Sequence, residues 1–74
     1  MLHLRLYGSS GALAEVGGEL ERTGAARHLT LSRALRPGDA LLTAEVRPES
    51  ADAVVSLLEG RGVAEDDVVL TRYD

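Results

Sequence analysis

Leu2, Leu4 and Leu6 alternate with His3, Arg5 and Tyr7, and a period of two is that of a strand with one buried face. The run Gly8-Ser9-Ser10-Gly11 then breaks the pattern and offers Ser9 or Ser10 as a helix N-cap. Leu13, Val16 and Leu20 follow at helical spacing and Gly24 reads as the stop. Gly17 and Gly18 inside this helix mark a place for close backbone packing. Alternation returns at Leu29 and Leu31, set among His28, Thr30 and Ser32, and again at Ala40, Leu42, Ala44 and Val46. Between these runs lies Arg36-Pro37-Gly38-Asp39, residue types suited to a tight turn. Pro48 and Glu49 suit the first turn of a second helix. Its apolar stripe is Ala51, Val54, Val55 and Leu58, and Gly60 to Gly62 ends it. Val68 and Leu70 open a last strand over residues 68–73.

The predicted order is therefore β-α-β-β-α-β. A shift of 38 residues superposes Leu4 on Leu42, Val16 on Val54, Leu20 on Leu58 and Gly24 on Gly62, a faint internal duplication. Two β-α-β halves with right-handed crossovers give an α+β ferredoxin-like sandwich. Its sheet is antiparallel, has four strands in the order 4-1-3-2, and carries both helices on one face. Taking the first and third strands as a parallel central pair puts both strand-to-helix connections at one end of the sheet. The Arg36-Pro37-Gly38-Asp39 turn then lies at the other end, remote from both helix starts. It reads as a hairpin turn rather than a ligand grip.

Residues 1–74 form one small domain, near the size at which a core is only marginally sufficient. The chain has no Phe, Trp, Ile or Cys, so the core is aliphatic and there is no disulfide, thiolate nucleophile or Cys-ligated zinc. A net charge of −4 argues against nucleic acid as a partner, because binding it requires clustered cations. No apolar run approaches the ~20 residues of a membrane span.

Within that frame the candidate chemistry is sparse. The parallel reading brings residues 8–11 beside residues 47–50. Free amides at two helix starts, with Ser9, Ser10, Arg47 and Ser50, would then suit an anion; the alternative is that the serines cap and Arg47 is solvated. His3 and His28 sit on strands separated by a third, roughly 10 Å apart at ~4.8 Å per strand, too far to share a zinc ion. Glu65, Asp66 and Asp67 read as a solvated acidic loop. No nucleophile is paired with a base, so catalysis has no support and no metal or cofactor is implied. The bare sheet face is expected to carry His3, Arg5, Tyr7, His28, Thr30, Ser32, Leu41, Thr43, Glu45, Val69, Thr71 and Tyr73, with Arg5 paired to Glu45. Tyr7, Leu41, Val69 and Tyr73 make this an association face.

The opening residues 1–7, the hairpin of residues 35–46, the helix of residues 49–63 and the acidic-then-strand close of residues 64–74 together resemble one known segment. It is the N-terminal segment of the uncharacterised hydrophobic membrane proteins called domain of unknown function three-eight-nine, actinobacterial type. The resemblance covers essentially the whole chain and implies a small domain preceding several membrane spans on the cytoplasmic side. This chain stops before any span and so looks like an excised domain. The family defines no catalytic or ligand residues to carry over. Metal chaperones of the same topology bind through a Cys pair, and acylphosphatases act through an arginine and an asparagine; this chain has neither Cys nor Asn. The expected function is a non-catalytic module that regulates or assembles a membrane transport protein. Its partners would be the membrane-spanning part and, weakly, a second copy. The alternative is a small-ligand sensor, for an anion or an amino acid, at the helix N-termini.

Overall fold

The computed structural model describes residues 1–72. Strand β1 (Leu2–Ser9) leads into helix α1 (Ser10–Thr23), then strands β2 (Ala26–Arg33) and β3 (Asp39–Val46). A short 3-10 turn (Pro48–Ser50) precedes helix α2 (Ala51–Gly60), and a second (Glu65–Asp67) precedes strand β4 (Val68–Arg72). The sheet order is β2-β3-β1-β4, the ferredoxin-like arrangement that the pattern predicts.

The alternation in β1 sends Leu4 and Leu6 into the core, each 0% exposed, and leaves Arg5 and Tyr7 outside. Ala40, Leu42, Ala44 and Val46 of β3 do the same. Leu13, Val16 and Leu20 of α1 and Val54 and Leu58 of α2 close over this face. With one apolar face covered and aliphatic side chains throughout, burial at roughly 25 cal/mol per Å2 of apolar surface is the main stabilising term.

Both helices have readable ends. Ser9 takes extended backbone angles and its hydroxyl oxygen accepts from the Ala12 amide at 3.3 Å, the N-cap that the sequence offers. Gly24 ends α1 at φ 75°, its amide donating to the Glu21 carbonyl. Gly62, also at φ 75°, follows α2; its amide donates to the Glu59 carbonyl and the Val63 amide to that of Leu58. That pair of bonds is a Schellman motif, with half-buried Val63 supplying its hydrophobic contact. Between the helices, the Arg61 guanidinium grips the Glu19 carboxylate through Nε at 3.0 Å and through a second nitrogen.

Two features depart from the sequence reading. Strands β1 and β3 are antiparallel, not parallel: Leu2 lies opposite Val46 and Ser9 opposite Asp39. The reason is topological. The first crossover makes β2 parallel to β1, and the hairpin reverses β3 against both. In consequence the β2–β3 turn sits at the end where β1 hands over to α1, and the Ser10 amide donates to the Gly38 carbonyl at 2.9 Å. The turn is therefore in contact with a helix start, not remote from it.

The second departure is a bulge in β2. Arg27 faces Glu45 and Thr30 faces Thr43, so His28 and Leu29 together span the position of Ala44 alone. His28 takes φ 55°, the one positive value at a described residue other than glycine. This is how Ala26 and Leu29, of opposite parity, both reach the helix-covered side.

Candidate functional site

The structure separates the proposed ligand corner. Ser9 and Ser10 lie at the Asp39 end of β3, whereas Arg47 and Ser50 follow Val46 at the other end. Eight residues of strand stand between them, roughly 24 Å at ~3.4 Å per residue, so no small ligand bridges the two helix starts. Each start is also occupied locally. Ser9 caps α1 and the Ser10 amide is bonded to Gly38. Before α2, the Arg47 carbonyl accepts from the Ser50 amide at 2.9 Å, and the Ser50 side chain makes no capping bond. Glu49 and Asp52 place carboxylates in the first turns there, complementing the positive helix end themselves and repelling an incoming anion. Arg47 is exposed. The anion reading thus loses the juxtaposition on which it was built.

The turn of the hairpin has the arrangement of a type II turn. Pro37 occupies its second position, Gly38 its third at φ 88°, and the Asp39 amide donates to the Arg36 carbonyl at 3.1 Å. Arg36 is exposed, and Leu35 just before it is fully so, at 101%.

The open sheet face is where side chains converge. Tyr7 lies directly opposite Leu41, and Val69 opposite Arg5, diagonal to Tyr7. Leu41 and Val69 are half-buried and Tyr7 is exposed. Tyr73, expected on the same face, falls outside the described residues. Arg5 stands at the centre of the patch with Thr43 and Val69 as cross-strand neighbours. No carboxylate is directly opposite it, and the expected pairing with Glu45 gives way to a different one.

Glu45 lies opposite His3 on one side and Arg27 on the other. Its carboxylate oxygen is 3.1 Å from His28 Nδ1 and 3.6 Å from Arg27 Nε. Sequence reasoning missed this hub because the bulge turns His28 back over the position of Glu45. No residue type announces such a bulge; a positive φ at a histidine is visible only in the backbone. Among the described residues no group of three His, Asp or Glu is arranged to hold a metal ion. The acidic run forms the turn before β4, with Glu65 and Asp66 exposed.

No protein-family model matches the chain, and no curated protein matches it in sequence. Among the described residues no helix is long and apolar enough to cross a membrane.

Proposed function

We propose that this domain is a non-catalytic module that assembles with, or regulates, a membrane transport protein of which it forms part, working through its open sheet face. The observation that carries the reading is the asymmetry of the sheet. One face is sealed by two helices, while the other presents Tyr7, Leu41 and Val69 around Arg5 with no element of the described residues over them. A patch with apolar flanks and an arginine at its centre suits a protein surface that brings a carboxylate to the middle of the contact. The resemblance of the whole chain to the soluble segments of hydrophobic membrane proteins supplies the partner, the membrane-spanning part of the same protein.

The test has two stages. The source reading frame is expected to continue past Asp74 into apolar spans; a stop codon at that point removes the proposed partner. With the full protein in hand, Leu41→Glu is expected to abolish co-purification of the separately expressed domain with the spans. The isolated domain should keep its melting temperature, because Leu41 points away from the helices. Unchanged co-purification would overturn the role given to this face.

A further inference from the structure

A second surface lies away from the open face, at the edge of the sheet formed by β4. Helix α2 and β4 leave between them a groove of about 450 Å3. Val55, Leu58, Val63, Val68 and Leu70 line it, and Glu59 and Glu65 add two carboxylates. Leu58 is almost fully buried and forms its floor, whereas Val55 remains 39% exposed on its wall. At the opposite edge of the sheet, the β2–β3 hairpin holds Leu35 wholly in solvent between the exposed Arg33 and Arg36.

A single exposed leucine needs no explanation of its own. What carries the inference is the match. The hairpin offers one branched aliphatic side chain flanked by two guanidinium groups. The groove offers aliphatic walls with room for that side chain and two carboxylates. A type II turn with Pro37 and Gly38 holds the knob, and the Ser10–Gly38 bond ties the turn to the body of the domain. Little backbone freedom is therefore lost on docking. Within one molecule the two features cannot meet, because β3 and β1 stand between β2 and β4.

We propose that the hairpin tip of one copy docks in the α2–β4 groove of a second copy, Leu35 entering between Val55 and Val68 while Arg33 and Arg36 face Glu59 and Glu65. The contact is heterologous, joining different surfaces of the two molecules, so it builds chains or closed rings. With one buried anchor it is weak, and its ion pairs make it weaker still in high salt.

Sedimentation equilibrium on the 74-residue chain at millimolar concentration tests this, alongside NMR shift mapping over a dilution series. Association is expected to be concentration-dependent, to fall when salt is raised, and to shift Val55, Val63 and Val68 together with Leu35. Leu35→Ser should weaken it roughly tenfold or more, the equivalent of the anchor's transfer from water. It should leave the melting temperature alone, since the side chain touches nothing in the monomer. The decisive pair is Arg36→Glu and Glu65→Arg. Each alone should associate less than the parent chain, and an equimolar mixture of the two should recover association by pairing the reversed charges. A chain that stays monomeric, a mixture that recovers nothing, or association that Leu41→Glu disperses and Leu35→Ser does not, would each overturn the proposal. The last result would place self-association on the open face instead.

Discussion

The two β-α-β halves of this domain share a skeleton and part company where each helix meets the sheet. Residues related by the 38-residue shift share the same burial: Leu4 and Leu42, Val16 and Val54, and Leu20 and Leu58 are all 3% exposed or less. The two stop glycines, Gly24 and Gly62, share φ 75°. The difference lies at Gly17, whose counterpart is Val55. Gly17 is buried with its Cα against the sheet, so that a Cβ there would lie 3.5 Å from Leu42 and 3.7 Å from Leu29. Val55, which the spacing places on the apolar stripe of α2, is instead left on the groove wall and stands 39% exposed. One helix is pressed onto the sheet through its backbone; the other presents a branched side chain at the corresponding place and leaves a groove beside β4. The starts differ too, since Ser9 caps α1 directly while α2 begins through an uncapped 3-10 turn. The two halves thus share their core anchors and terminators and differ in the contact between helix and sheet.

The largest test of that equivalence removes the matched anchors. Leu20→Ala and Leu58→Ala should each cost about 2–5 kcal/mol in urea unfolding, a large share of a small domain's ~5–15 kcal/mol. A Leu58 cost under a third of the Leu20 cost would break the symmetry. Next, giving α1 the residue of α2 by Gly17→Val should cost roughly 1–3 kcal/mol through overpacking against Leu42 and Leu29. Gly17→Ala should be tolerated, its Cβ in ordinary contact and its helix propensity improved by up to about 1 kcal/mol. If valine is accepted as readily as alanine, the close approach of α1 is not what distinguishes the halves.

Smaller effects sharpen the same contrast. Gly24→Ala and Gly62→Ala should each cost about 1 kcal/mol, alike for both, because each forces a side chain into a left-handed backbone. Neither site has another atom near the added Cβ, so unequal melting-temperature losses would reveal strain the shared φ does not contain. Finally, Ser9→Ala should cost about 0.5–1 kcal/mol through loss of the α1 cap, and Ser50→Ala almost nothing, since its hydroxyl caps no amide. Equal costs at the two serines would contradict the difference in how the helices begin.

Much of this architecture is legible in the chain because its signals are local. Leu2, Leu4 and Leu6 announce a half-buried strand without reference to any partner, and Leu13, Val16 and Leu20 announce a helix stripe. Gly17 sits four residues after Leu13 and three before Leu20, so its place on the buried face is readable in the same spacing, whereas Gly18, read with it as a packing place, is exposed with no atom near an added Cβ. Strand direction was also within reach, since a hairpin must reverse β3 against β2; the parallel reading of β1 and β3 overlooked that constraint. Everything that depended on it failed together, above all the joining of Ser9 and Ser10 with Arg47 and Ser50. The Glu45 hub was not within reach, because it depends on one extra residue in β2 that no local preference marks. The open face was correctly assigned at Tyr7, Leu41 and Val69, where alternation alone decides.

That extra residue at His28 also governs how the molecule ends sideways. Strand β2 is an outer strand, and a regular outer strand exposes an unbroken row of amides and carbonyls onto which another chain can polymerise as cross-β. Here the row is interrupted. A left-handed residue in the first half of the strand twists the backbone out of plane, and Arg27 and Arg33 place like charges near its two ends. An incoming copy of the same strand would meet a mismatched ladder at the bulge and the exposed charge of Arg33. In a small domain whose edge strand would otherwise stay open to pairing, a border blunted in this way closes one route by which copies could join edge to edge.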